Sequence, residues 1–300
     1  MSDQRFMSLA LSIGRRGLGR TWPNPSVGCV IVSGDQIIGR GATADGGRPH
    51  AEIIALAQAG AKAKGATVYV TLEPCAHTGK TSPCTEALIR SGVKRVVTAV
   101  HDQDPRVNGK GISALKAAGV EVVTGIMADE ASYDHRGFFL NISRNRPFLT
   151  LKMAKSLDGR NATANGQSKW ITDKQSRRLV HLIRSKHDAV MVGGGTARQD
   201  DPSLNVRNLG IEHKTVRIVV SSNLNLPERS ILAETARQTP LWLCHSQDAG
   251  MSQIVKWQNM GAKLILCKGE NGYLDLHDAM TRLASLGLTR VFCEGGGTLA

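Results

Sequence analysis

The chain has 300 residues, room for two domains of ordinary size, and its 41% hydrophobic and 21% charged residues describe a globular protein, not a disordered or fibrous one. The net charge of +13 favours anionic ligands; it divides as +6 over 1–146 and +7 over 147–300, without a run of five like charges, and aromatics at 4% leave little to stack nucleic-acid bases on. No apolar stretch approaches the roughly eighteen residues of a spanning helix, and the start Met1-Ser2-Asp3-Gln4-Arg5 lacks the apolar core of a secretory signal, so a cytoplasmic protein without membrane contacts is expected.

In chain order, residues 3–17 have a helical pattern. Strands are expected at Val27–Val32 and Gln36–Gly41, joined by a Ser-Gly-Asp turn as a hairpin. His50–Lys64 places Ile53, Ile54, Leu56 and Ala57 at helical spacing. A β-rich run follows at Thr67–Leu72, a helix at Cys84–Arg90 and a strand at Arg95–Val100. Gly111–Ala118 and Glu121–Thr124 form a further helix and strand. Alternating strands and helices predict an α/β fold with a mixed sheet.

The polar, basic stretch Ser143-Arg144-Asn145-Arg146-Pro147 is the predicted boundary between domains at 1–146 and 147–300. Beyond it, Phe148–Ala154 reads as a strand and Lys174–Ser185 as a helix with Asp173 as an acid at its start. The strand Ala189–Val192 runs into Gly193-Gly194-Gly195-Thr196. Further strands are expected at Val216–Val220, Leu241–Cys244, Lys263–Cys267 and Arg290–Cys293.

Six cysteines in a cytoplasmic chain stay reduced. Cys29, Cys244, Cys267 and Cys293 lie in apolar runs and read as small buried thiols. Cys75 and Cys84 lie instead in a polar loop, downstream of His50-Ala51-Glu52. One imidazole and two thiolates give zinc three protein ligands and leave a fourth position for water, whose pKa the ion lowers to about 7. Glu52, at the start of a helix with His50, is placed to take that water's proton and pass it to a leaving amine. Cys84 opens the next helix, where the positive dipole end favours a thiolate. With His77 as a fourth ligand the same residues read as a purely structural zinc site.

The order H-x-E, then P-C and a second Cys, resembles the zinc-dependent nucleobase deaminases, with eight residues between the cysteines in place of two. Pro23-Asn24-Pro25-Ser26-Val27-Gly28, Pro49-His50-Ala51-Glu52 and the run from Thr71 to Cys84 resemble the deaminase half of the bifunctional riboflavin-biosynthesis deaminase/reductase family. The resemblance covers essentially the whole chain. It implies a cytidine-deaminase-like three-layer N-terminal domain and a dihydrofolate-reductase-like C-terminal domain. It also implies zinc-hydroxide deamination of 2,5-diamino-6-(5-phosphoribosylamino)pyrimidin-4(3H)-one to the uracil, with Glu52 catalytic and His50, Cys75 and Cys84 on the metal. Asn24, His77 and Lys80 are then substrate residues. The chain departs from the family pattern at Ser82, where a second Pro is usual, and at Gln103-Asp104, which replace Pro-Asn.

Gly109-Lys110-Gly111-Ile112-Ser113-Ala114 fits a dinucleotide fingerprint only in outline. It lacks the acidic residue after the next strand and lies in the deaminase half, so it reads as a loop-to-helix turn. The reductase resemblance rests on Leu151–Gly159, Ser168–Thr172, Val192–Thr196, Asp200–Arg207 and Glu294-Gly295-Gly296-Gly297. It implies NADPH reduction of the ribosyl to the ribityl side chain. NADPH would contact Ala154, Trp170, Thr196, Asp200, Gly295, Gly296 and Gly297. Substrate would contact Lys152, Ser168, Arg184, Leu204, Arg207 and Glu294, the two arginines suiting its phosphate. Members of the family continue past the glycine turn with a further helix and strands, so the reductase domain as it stands is expected to be short of these. A homo-oligomer without nucleic-acid or membrane partners is expected. The competing reading is a nucleic-acid cytidine or adenosine deaminase with an accessory domain.

Overall fold

A computed structural model describes residues 3–78, 82–157, 159, 172–211, 213–296 and 299. The chain forms two compact units, Met1–Arg144 and Asn145–Ala300.

In chain order the first unit comprises α1 (Asp3–Gly14), β1 (Gly28–Ser33), β2 (Gln36–Ala42), α2 (Ala51–Ala59), β3 (Thr67–Val70), α3 (Cys84–Arg90), β4 (Arg95–Thr98), α4 (Lys110–Ala117), β5 (Glu121–Thr124) and α5 (Ala128–Arg144). Its sheet has the order β2-β1-β3-β4-β5. β1 is antiparallel to β2 and β3, and the remaining pairs are parallel. Strand alternation sends successive side chains to opposite faces, and both faces of β1 are apolar. Cys29 and Ile31 pack with Ala51, Ala55 and Leu88 of α2 and α3, whereas Val30 and Val32 pack with Phe6, Met7 and Ala10 of α1 and Ala131 of α5. Two cores on two faces of one sheet make the three-layer sandwich. Contact between α1 and β1 depends on Gly28, where a Cβ would sit 1.9 Å from the Ala10 carbonyl oxygen.

Helix α5 is absent from the sequence expectations. Its inward positions include Asp134 and His135, which break the apolar period. Asp134 accepts a hydrogen bond from Arg15 Nε at 2.7 Å, and the His135 ring meets Thr71 Oγ1 at 3.3 Å. Tertiary partners satisfy residues that read as a solvated stretch.

The second unit contains β6 (Phe148–Leu151), α6 (Lys174–Arg184), β7 (Ala189–Gly193), α7 (Gly194–Asp200), β8 (Val216–Val220), α8 (Ile231–Glu234) and β9 (Leu241–His245). These are followed by α9 (Met251–Met260), β10 (Lys263–Leu266), β11 (Gly269–Glu270), β12 (Tyr273–Leu274), α10 (Leu276–Ser285) and β13 (Arg290–Cys293). Asp173 caps α6, its Oδ1 accepting the Ser176 N–H at 2.7 Å. The main sheet runs β10-β9-β8-β7-β13-β6 and is parallel throughout. Strands β7 to β10 extend one way from β7, and the chain then returns to insert β13 on β7's other side. Such a reversal leaves a crevice beyond the strand ends. The opposite ends of β7 and β13 are tied by buried Asp188, whose carboxylate accepts from Thr289 N, Thr289 Oγ1 and Arg290 N at 2.6, 2.9 and 2.8 Å.

Candidate functional site

His50 is the N-cap of α2, in extended conformation, and Glu52 lies in that helix's first turn. Two residues apart inside a helix would face apart; the non-helical backbone at His50 lets both side chains serve the same end of α2. Cys84 is the first residue of α3, and its backbone N–H points at the Cys75 sulfur, 3.3 Å away. Thr85 closes the turn with its N–H and hydroxyl, both 3.2 Å from the Cys75 carbonyl oxygen.

These local structures bring the metal-ligating atoms of His50, Cys75 and Cys84 within 4.8 Å of one another. His50 Nδ1 is 3.3 Å from Cys84 Sγ and 3.7 Å from Cys75 Sγ. Tetrahedral zinc with Zn–S of about 2.3 Å and Zn–N of about 2.0 Å spaces its ligands by about 3.5–3.8 Å. The donor set therefore suits zinc in chemistry and in spacing. His77 does not belong to this converging group among the described residues. Its Nδ1 is buried without a hydrogen-bond partner.

Electrostatics at the cluster are strongly perturbed. Hydrogen bonds from the Cys84 thiol and the His50 ring hold the Cys75 thiol down at about 4. The Cys84 thiol is pushed up because its proton is shared with Cys75, and His50 is raised by its bond to the same sulfur. Glu52, 4% exposed, is pushed up to about 7, first by burial and then by the negative charge at Cys75. A carboxyl near neutrality can both accept and return a proton.

A cavity of about 510 Å³ opens over this cluster. Asn24, His50, Glu52, Cys75 and His77 all line it. Asn24 is fixed by donating from Nδ2 to the Gly47 carbonyl at 2.8 Å. Lys80 lies outside the described residues. Several wall residues were not foreseen from the sequence, among them Arg48, Glu73 and Asp102. The Asp102 carboxyl is pushed up to about 6 by burial. Glu73 had a legible signal: an acid within an otherwise apolar strand end, directly before Pro74-Cys75.

The second unit has its own cavity, about 760 Å³, beyond the ends of β7 and β8. Gly193, Thr196 and Gly296 line it. Thr196 Oγ1 donates to the Gly295 carbonyl at 3.2 Å, and a Cβ on Gly296 would lie 2.7 Å from that hydroxyl oxygen. Ser221, Ser222 and Asn223, unforeseen, are among its other polar wall residues. Their signal is a polar turn directly after an apolar parallel strand, where α/β sheets hold ligands. Asp200 ends α7 and Ala154 follows β6; neither lines the cavity among the described residues. Trp170, Gly297 and Ser168 lie outside the described residues.

Arg184 and Glu294 pair directly. Arg184 Nε and Nη2 both bond to the Glu294 carboxylate, the latter at 2.9 Å, and Nη1 donates to the Asn205 carbonyl at 2.8 Å. Leu204, next to Asn205, is buried with φ +51°, a left-handed conformation uncommon for a branched side chain. Arg207 is exposed and donates from Nη1 to Ser203 Oγ at 2.9 Å. Lys152 is half-buried, with its N–H on the Cys293 carbonyl at 2.9 Å.

Residues 147–300 match the family model described as the RibD C-terminal domain, and residues 1–100 match that of the cytidine and deoxycytidylate deaminase zinc-binding region. The chain is 42% identical to riboflavin biosynthesis protein RibD of Aquifex aeolicus, over 98% of this chain and 81% of that protein. It is 39% identical to RibD of Escherichia coli, over 100% and 83% of the two. Among solved structures, Acinetobacter baumannii RibD aligns with a TM-score of 0.88 at 39% identity, over 99% of this chain and 81% of that one. A Thermotoga maritima diaminohydroxyphosphoribosylaminopyrimidine deaminase/5-amino-6-(5-phosphoribosylamino)uracil reductase aligns with a TM-score of 0.86 at 33% identity, over the same shares.

Proposed function

Because the chain belongs to the RibD family of riboflavin biosynthesis proteins, we propose that its two cavities carry successive steps on one phosphoribosylaminopyrimidine. The first unit is a zinc-dependent deaminase and the second an NADPH-dependent reductase. The observation that carries this reading is the His50–Cys75–Cys84 cluster beside buried Glu52, in a chain whose other half is a reductase domain.

His50, Cys75 and Cys84 would hold a zinc ion, which would supply a water acidified to near neutrality. Glu52 takes a proton released as oxygen bonds to C2 of the pyrimidine, and delivers one to the departing amine, so that ammonia leaves. Asn24, held by Gly47, positions the base or ribose. His77 and Lys80 are assigned to binding the phosphoribosyl part. NADPH bound in the second site would supply the hydride that reduces C1′ of the ring-opened sugar. Gly295, Gly296 and Thr196 line the approach to the cofactor, and Gly297, Ala154, Trp170 and Asp200 are assigned as its further contacts. Lys152, Ser168, Leu204 and Arg207 hold the substrate, Arg207 at its phosphate. Arg184 and Glu294 reach it from their mutual pair, in which Arg184 still has two N–H groups to offer.

The protein is expected to act as a cytoplasmic homo-oligomer without nucleic-acid or membrane partners; no described helix is long and apolar enough to cross a membrane. The RibD match over residues 147–300 favours this reading over a nucleic-acid deaminase.

A single assay tests the assignment. With the diaminopyrimidine substrate, ammonia release and NADPH oxidation are followed separately. Wild type shows both. Gly296→Ala places a Cβ against Thr196 Oγ1 at φ +113°. It is expected to raise KM for NADPH about tenfold or more, through misplacement of the cofactor turn, while ammonia release stays unchanged. Ammonia release falling together with NADPH oxidation would contradict separate sites.

A further inference from the structure

A carboxylate buried beside the metal-binding turn has no part in the chemistry above. Glu73 is 3% exposed and sits two residues before Cys75. A buried charge is costly unless hydrogen bonds replace its water, and here four backbone N–H groups do so. Oε2 accepts from Asp102 at 3.2 Å and Gly109 at 3.0 Å. Oε1 accepts from Gly111 at 2.9 Å and Ile112 at 3.2 Å. His101 Nδ1 lies 3.5 Å from Oε2.

The arrangement of these donors is informative. Gly109 is the last residue before α4 and Asp102 lies four residues past β4, so one oxygen atom holds both sides of the loop 102–109. Gly111 and Ile112 belong to the first turn of α4, held by the other oxygen. Gly111 is pressed against the metal-binding turn, since a Cβ there would lie 2.1 Å from the Pro74 carbonyl oxygen. Between the clasped ends, Asp102, Asp104, Arg106 and Val107 face the deaminase cavity. Inside the segment, the Asp104 N–H bonds to Asp102 Oδ1 at 2.8 Å, and Arg106 Nε lies 2.9 Å from Asp104 Oδ1.

We propose that Glu73 is a positioning residue that clasps residues 102–109 closed against the Pro74-Cys75 turn, and so sets the substrate-facing wall of the deaminase site. The inference rests on the deaminase reading of that cavity. Glu73's side-chain hydrogen bonds go to the backbone of residues 102–112, and it is not in the metal-ligating group among the described residues, so its effect falls on substrate binding. Only a carboxylate offers acceptor sites to all four N–H groups. In Glu73→Gln, one oxygen becomes an NH₂ group that meets two of those N–H groups donor to donor, and one end of the clasp opens.

The test measures ammonia release, zinc content and NADPH oxidation for wild type and Glu73→Gln, full-length. Wild-type ammonia release checks the deaminase reading by itself; its absence would sink that reading, whatever the variant does. With wild type active, Glu73→Gln is expected to raise KM for the pyrimidine about tenfold or more, the scale of a misplaced binding wall. Its kcat, zinc content and NADPH oxidation on deaminated substrate stay close to wild type. An unchanged KM overturns the proposal. So does loss of zinc with a fall in kcat, which would make Glu73 a support of the metal turn. Should the Gln variant be insoluble, Gly109→Ala probes the same clasp, since Gly109 has φ +85° and open space at its Cβ position. It keeps every donor and strains the turn, so KM rises with zinc retained; an unchanged KM there also overturns the proposal.

Discussion

Glu52→Gln is expected to lower kcat for ammonia release by about 10²–10⁴-fold, the range lost when a positioned general acid–base group is removed. Glutamine keeps the shape of the side chain and cannot carry the proton. Glu52 is 4% exposed and contacts Cys84, so water has little room to replace it. Zinc content should stay at one ion per chain, because the three ligand residues are unchanged. NADPH oxidation supplied with deaminated substrate should match wild type, because the reductase cavity is lined entirely by the second unit. Ammonia release within a few-fold of wild type would remove Glu52 from the chemistry.

Arg184→Ala is the second large effect, and it falls on stability. The Arg184 and Glu294 side chains are 11% and 12% exposed, and they are each other's counter-charge. Removing one partner of a buried pair leaves an uncompensated charge and costs about 3–5 kcal/mol. It also frees the Asn205 carbonyl and with it the strained turn at Leu204. For a unit of this size that loss lowers the unfolding temperature by on the order of 10 °C. Calorimetry reads the shift in the second unit's transition, while the first unit's transition stays in place. Arg184→Met with Glu294→Gln should recover much of the loss, since no charge is then stranded. An Arg184→Ala transition within 2 °C of wild type, about the smallest shift that 1 kcal/mol produces at this size, would mean that the pair is not buried in solution.

The two sites differ in how far they can be read from residues alone. The metal cluster is legible because each ligand sits in a short local motif. His50 and Glu52 start one helix, Cys84 starts the next, and Pro74 precedes Cys75. Local backbone rules then place the side chains. Other elements were legible for the same reason: the helix Cys84–Arg90 and the strand Arg290–Cys293 have the predicted bounds. Features fixed by tertiary partners were not. The Arg184–Glu294 pair joins residues 110 positions apart, and no local spacing announces it. Ser221 and Ser222 became cavity walls only through the strand order, which places β8 beside β7. Helix α5 was hidden because Asp134 and His135 occupy inward positions. Helices α7 to α10 were passed over for the more strongly apolar strands between them.

The central claim is a metal site with three protein donors and one open position beside Glu52. X-ray absorption at the zinc edge of the purified full chain tests it most directly. One zinc per chain is expected, with two sulfurs at about 2.3 Å and two lighter atoms near 2.0 Å, and one sulfur fewer in Cys84→Ser. A chain that holds no zinc, or a shell of three or more sulfurs, would contradict it.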